Sequence, residues 1–89
     1  MNVIIGDIGN TITKISLIET KNYKFKKITH FNSRNILSEK FVKNKLKKII
    51  NNNSFCKKAL FSSVVPKYYF KLRKILKRNY KINVDEIKS

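Results

Sequence analysis

The chain is poor in the residues that punctuate or cross-link a polypeptide: its 89 residues include one cysteine, one proline, two glycines and no tryptophan. A single cysteine, Cys56, excludes an internal disulfide and fits a reducing compartment. Nothing near it in sequence lowers a thiol pKa, so Cys56 reads as a packed strand-edge residue and not as a nucleophile. No Gly/Pro-rich linker marks a second domain, no internal repeat is present, and 89 residues make one domain at most. No apolar run approaches the ~18 residues of a membrane span. The N-terminus lacks a basic stretch followed by a long apolar one, the pattern of a secretory signal. A cytoplasmic protein is the expectation.

Acidic residues are also scarce: five Asp and Glu stand against 21 Lys and Arg, for a formal charge of +16. Such a balance attracts nucleic acid through counterion release. Two features of the composition weigh against a specific role of that kind. Lysine supplies 18 of the 21 cations, whereas surfaces that read bases or fork phosphates favour arginine. Ile, Lys and Asn together make 42 of the 89 residues, and all three use A/T-rich codons, so coding bias accounts for much of the basicity. Nonspecific, salt-sensitive nucleic-acid binding is expected regardless. A small basic nucleic-acid-binding protein and a non-functional gene remnant stand as the alternatives to the reading that follows.

The most informative stretch is Val3-Ile4-Ile5-Gly6-Asp7-Ile8-Gly9-Asn10-Thr11. An apolar strand delivers one carboxylate, Asp7, and a Gly-Asn turn follows at once. A strand end fixes such an Asp as a partner for metal or water, and a glycine lets backbone N–H groups approach phosphate oxygens. Gly-Asn between apolar runs is equally an ordinary hairpin turn, with Asp7 bonded to local N–H groups. A second segment, Ala59-Leu60-Phe61-Ser62-Ser63-Val64-Val65-Pro66, reads as a short buried strand leading into a helix that starts at proline.

Together the two motifs resemble the start of a type III pantothenate kinase. That family opens on an apolar strand ending in D-x-G-N-T or D-x-G-N-S and carries S-S-V-V-P some fifty residues later. Asp7, Gly9, Asn10 and Thr11 match the first motif, and Ser62 to Pro66 match the second. The resemblance implies a ribonuclease-H-like (actin-like ATPase) α/β domain and transfer of the ATP γ-phosphate to pantothenate, the first step toward coenzyme A. It also implies Mg2+ with ATP, a monovalent cation (K+ or NH4+), and a homodimer when complete. Asp7 would sit by the magnesium and the transferred phosphate through water, and Gly9, Asn10 and Thr11 would place donors toward phosphate. Lys14 is a further candidate to reach a phosphate, although a solvated lysine is the simpler reading in so lysine-rich a chain. Family members are roughly three times longer. Their G-x-D-R-type segment with the catalytic base, their second D-x-G-T-type phosphate motif and their adenosine-side segment have no counterpart here. The expectation is a truncated N-terminal subdomain over 1–89, with no catalytic base in this chain, the second ATPase-type subdomain absent, and no activity alone.

Periodicity gives the order strand–strand–strand–helix–strand–helix–strand. Residues 2–7 form a first strand, almost continuously apolar and expected to be buried on both faces. Ile12 to Ile18 form an antiparallel second strand. In a third, ending near His30 or Phe31, Tyr23, Phe25 and Ile28 point one way while Lys24 and Lys26 face solvent. Residues 32–38 read as a polar loop, with Ser38 as N-cap of an amphipathic helix over 39–51 that Asn51-Asn52-Asn53 stops. Residues 58–64 are the fourth strand. A second helix from Pro66 buries Tyr69, Leu72, Ile75, Leu76 and Tyr80, and Ile82-Asn83-Val84 begins a fifth strand. Ser62 and Ser63 have no base placed to activate them and read as structural. His30 is a lone histidine at a strand end. Tyr68 to Arg73 mixes aromatics and bases as single-strand binders do, but at helical spacing alternate members fall into the core.

Overall fold

A computed structural model of the chain describes residues 2–22, 24–50 and 55–87. The elements follow the expected order: β1 (Asn2–Ile8), β2 (Ile12–Glu19), β3 (Lys24–Asn32), a 3-10 turn (Ser33–Leu37), α1 (Glu39–Lys47), β4 (Phe55–Ser63), α2 (Pro66–Tyr80) and β5 (Asn83–Glu86). The orientation of Tyr23 and the Asn51-Asn52-Asn53 stop lie outside the described residues, as do the side chains of Lys26 and Cys56.

The strands make one mixed sheet in the order β3-β2-β1-β4-β5. β1, β2 and β3 form an antiparallel meander, and β1 pairs parallel with β4, as β4 does with β5. Both helices lie on one face, so burial along β1 alternates. Asn2, Ile4, Gly6 and Ile8 are buried, Val3 and Ile5 are half-buried, and Asp7 is exposed. The expectation of a first strand buried on both faces is therefore corrected: one face carries the core and, among the described residues, the other carries no helix.

The third strand holds a second correction. Phe25 and Ile28 do point the same way, but onto the helix-free face, where they are 61% and 51% exposed. Their shared direction comes from an irregularity in the β2–β3 register, where Leu17 pairs with Lys27 and Ile18 with Phe25. One extra residue in β3 switches the parity of the strand. The core-facing aromatic of β3 is Phe31, whose ring packs edge-on against Phe41 of α1 at 5.5 Å.

Helix α1 begins where the cap predicts, with Ser38 Oγ accepting the Phe41 N–H at 3.3 Å. It ends earlier than residue 51 because its last turn tightens: the Lys48 and Ile49 N–H groups donate to Lys45 and Leu46, three residues back. Ile49 stays buried all the same. Residues 33–37, expected as loop, form a 3-10 turn that buries Ser33 and Ile36, with Asn32 capping the Arg34 N–H. α2 starts at Pro66 as expected and buries Tyr69, Leu72, Ile75 and Leu76, while Tyr80 is half-buried. It closes on Lys81, a lysine in the left-handed region (φ 56°). The Lys81 and Ile82 N–H groups return to Lys77 and Leu76 and satisfy carbonyls of the last turn.

Candidate functional site

The carboxyl ends of β1 and β4 lie side by side, with the N-terminus of α2 next to them. Asp7 pairs with Ser62 in the parallel register and with Lys14 in the antiparallel one, and Lys14 pairs in turn with His30. A polar row His30–Lys14–Asp7–Ser62 therefore crosses four strands on the helix-free face. Asp7, Lys14 and His30 are exposed and Ser62 is half-buried. The Asp7 carboxylate has no ion pair among the described residues, which leaves its oxygens to solvent or a ligand.

The turn above this row is narrow. The Gly9 N–H donates to the Ile12 carbonyl at 3.0 Å, leaving Asn10 and Thr11 exposed at the tip. A Cβ on Gly9 would lie 2.9 Å from that same carbonyl oxygen, and neither glycine has a positive φ. Glycine is thus required here by close approach of the opposite strand. Gly6 serves β4 in the same way: a Cβ there would stand 2.0 Å from the ring of Phe61, its parallel partner. Space at Gly6 lets Phe61 pack flat under the strand pair that carries Asp7 and Ser62.

Sequence reasoning missed the residue that anchors the turn. Ser33, fully buried at the end of β3, donates its hydroxyl to the Gly9 carbonyl at 2.7 Å, and its N–H to the Thr11 carbonyl at 2.7 Å. A serine hydroxyl has one proton, so Thr13 Oγ1, 2.7 Å away, must donate to Ser33 Oγ. Thr13 is buried too. A serine after a strand carries no distinguishing sequence signal, and neither does a Thr inside β2.

Ser63 is structural, as expected: its Oγ donates to the Val65 carbonyl and accepts the Val65 N–H, both at 3.0 Å, shaping the entry to α2. The Val64 N–H donates to the Ile8 carbonyl at 3.1 Å and ties that entry to the turn. In the aromatic-basic segment, Tyr69 and Leu72 fall into the core while Phe70 remains exposed, so the rings form no continuous stacking platform. Burial raises the Tyr69 and Tyr80 hydroxyl pKa values. Among the described residues no group of three or more His, Cys, Asp or Glu side chains is placed to hold a metal. No described helix is long and apolar enough to cross a membrane.

A 3-2-1-4-5 mixed sheet, with a carboxylate at the end of its central strand and a tight turn beyond it, has the ribonuclease-H-like (actin-like ATPase) fold. A proposed N-acetylmannosamine kinase from Listeria monocytogenes has the same fold: it superposes with a TM-score of 0.56 at 13% identity, over 97% of this chain and 34% of that one. The chain belongs to the type III pantothenate kinase family, whose sequence profile matches residues 3–89. A type III pantothenate kinase from Pelagibacter ubique (strain HTCC1062) is 37% identical over 90 residues, covering 97% of this chain. The chain spans 34% of that relative's length.

Proposed function

We propose that this chain forms one wall of the phosphate site of a type III pantothenate kinase, which transfers the ATP γ-phosphate to pantothenate. The observation that carries the reading is the placement of Asp7. It stands at the end of β1 with no ion pair among the described residues, between Lys14 and Ser62 in the register and below a turn that Ser33 ties by hydrogen bonds. Phosphoryl transfer depends chiefly on positioning and charge neutralisation. A lone exposed carboxylate fits a magnesium ion that keeps most of its waters and takes its other oxygens from phosphate. Magnesium bound there would neutralise phosphate charge; Asp7 would orient one of its waters, and Lys14 would add a second cation. Gly9, Asn10 and Thr11 would bring backbone and hydroxyl donors to the phosphate oxygens. The described residues nominate no holder for a monovalent cation, and the homodimer of the complete enzyme belongs to the same reading. The catalytic base, the second phosphate loop and the adenosine contacts belong to the part of the family's length that this chain does not span. The purified chain alone is accordingly expected to produce no phosphopantothenate.

The test is a chimera in which this chain replaces the matched segment of the 37%-identical relative. It should phosphorylate pantothenate, and Asp7→Asn should lower kcat/KM by about a hundredfold or more. Unchanged turnover in the Asp7→Asn chimera would remove Asp7 from the chemistry.

A further inference from the structure

The tip of the β1–β2 hairpin is held on both legs by one residue of β3's far end. The Ser33 hydroxyl donates to the Gly9 carbonyl and the Ser33 N–H to the Thr11 carbonyl, each at 2.7 Å. The two bonds differ in direction. The N–H bond continues the β2–β3 ladder in the plane of the sheet. The hydroxyl bond leaves that plane: Ser33 and Thr13 are fully buried, and their hydroxyls meet at 2.7 Å on the face that carries the core. The Gly9 carbonyl that reaches Ser33 Oγ therefore points toward the core side. In a planar trans peptide the C=O and N–H point opposite ways, so the N–H of the same unit, that of Asn10, is turned to the other side. Asp7 is exposed on that other side. Asn10 lies in no strand or helix, and its N–H has no acceptor among the described residues. A backbone donor and a carboxylate thus face the same way, one suited to a phosphate oxygen and the other to the waters of its magnesium. The turn does not impose this by itself. Two-residue hairpin loops ordinarily close in primed turns with positive φ at the tip, and no residue of this tip has positive φ. The Gly9 N–H donates to the Ile12 carbonyl, whereas the Gly9 carbonyl turns to Ser33 instead of returning to Ile12.

We propose that Ser33 is a positioning residue of the phosphate site: its hydroxyl, 24 residues from Gly9 in the chain, sets the Gly9–Asn10 peptide so that the Asn10 N–H faces a phosphate oxygen of the nucleotide. Without that hydroxyl the peptide is free to rotate and to turn its carbonyl oxygen toward the phosphate, which replaces attraction by repulsion. Thr13 steadies Ser33 but does not aim the peptide. With Thr13 replaced by valine, the single Ser33 hydroxyl proton still has the Gly9 carbonyl as its acceptor. The inference rests on the phosphate-site reading and gives that site a residue that lies outside its motif.

The same chimera tests it. Ser33→Ala should raise KM for ATP by about tenfold or more and leave KM for pantothenate within about twofold. Ser33→Cys, which fills the space with a weak donor, should do the same and serves if the alanine variant does not fold. Thr13→Val removes a buried hydrogen bond of equal length and should leave both constants within about twofold. A merely structural role would move the Ser33 and Thr13 variants alike, so equal changes at both positions overturn the inference. An ATP KM that Ser33→Ala and Ser33→Cys leave unchanged overturns it as well. A second readout needs no turnover: in an amide NMR titration of the chain, magnesium pyrophosphate should move the Asn10 resonance in the parent and in Thr13→Val, but not in Ser33→Ala or Ser33→Cys. A chimera that phosphorylates nothing while this pattern holds refutes the kinase reading and upholds the inference. An Asn10 resonance that pyrophosphate leaves unmoved in the parent, or moves equally in all variants, overturns it.

Discussion

Replacing Gly6 with alanine asks whether the strand register under Asp7 depends on room for a single ring. The added Cβ would lie 2.0, 2.3 and 2.6 Å from three carbons of the Phe61 ring, whereas non-bonded carbons rest at about 3.5–4.0 Å. Phe61 is 1% exposed, so the ring has no solvent to swing into. Either it leaves its rotamer, at about 0.5–1.5 kcal/mol, or β1 and β4 part. Overpacking of this kind costs about 1–3 kcal/mol, and so deep an overlap belongs at the upper end. Against it, alanine restricts the unfolded chain and returns about 0.4–1 kcal/mol; no positive φ at Gly6 adds strain. The net loss is about 2 kcal/mol, or about 8–16 °C in the melting temperature of a domain this size. Thermal unfolding followed by circular dichroism measures it. The second arm is Phe61→Leu in the Gly6→Ala background, which should restore at least about 1 kcal/mol relative to the sum of the two single changes. A Gly6→Ala protein that melts within about two degrees of the parent, or strict additivity of the pair, would refute the steric account.

Ser33→Ala should cost about 1–3 kcal/mol, because it strands the buried Thr13 hydroxyl and removes the donor to Gly9. Amide exchange by NMR should quicken at Gly9, Asn10 and Thr11 more than in β1 or β4, and uniform quickening would deny Ser33 its hold on the turn. Asp7→Asn, by contrast, should leave unfolding unchanged within about 0.5 kcal/mol, since the side chain is exposed; a larger change would mean that Asp7 is structural. Glu39 of α1 accepts a hydrogen bond from Asn79 and an ion pair from Arg78 of α2, and both hold its carboxyl below the ordinary value of 4.5. A lowered folded pKa means stability that is present above the unfolded value and lost as pH falls through the folded one. Glu39→Gln should therefore flatten the decline of the urea midpoint between neutral pH and about pH 3, and an unaltered slope would show that other carboxylates govern it.

Much of this fold could be read from one sequence because its elements announce themselves locally. Ser38 caps α1, Pro66 opens α2, and the spacing of Tyr69, Leu72, Ile75 and Leu76 marks the face that α2 buries. The motif residues Asp7, Gly9, Asn10 and Thr11 fall at one strand end and its turn, as their order indicated. What escaped was set by partners distant in the chain. The extra residue in β3 follows from its pairing with β2, so the direction of Phe25 and Ile28 had no local sign. Continuous hydrophobicity in β1 spoke for burial on two faces, but burial depends on what lies above each face. The link from Ser33 to Gly9 joins residues that sequence alone gave no reason to connect. The two glycines were conspicuous, but their cause, a ring beside Gly6 and a carbonyl beside Gly9, needed coordinates.

The meander and the crossover differ in how soon they can form. β1, β2 and β3 close through short hairpins, and Ser33, at the very end of that meander, already secures the Gly9–Thr11 turn. The other flank of Asp7 must wait, because Ile4 meets Ala59 only after α1 and most of β4 have been made. Loop-closure entropy makes such long-range parallel pairing slow. The meander leaves the ribosome ahead of α1 and β4, and until β4 joins it the meander offers β1 as an unpaired edge. Delay at that stage invites a neighbouring chain to supply a strand in place of β4, so the interval before Ile4 meets Ala59 is the exposed moment of this fold.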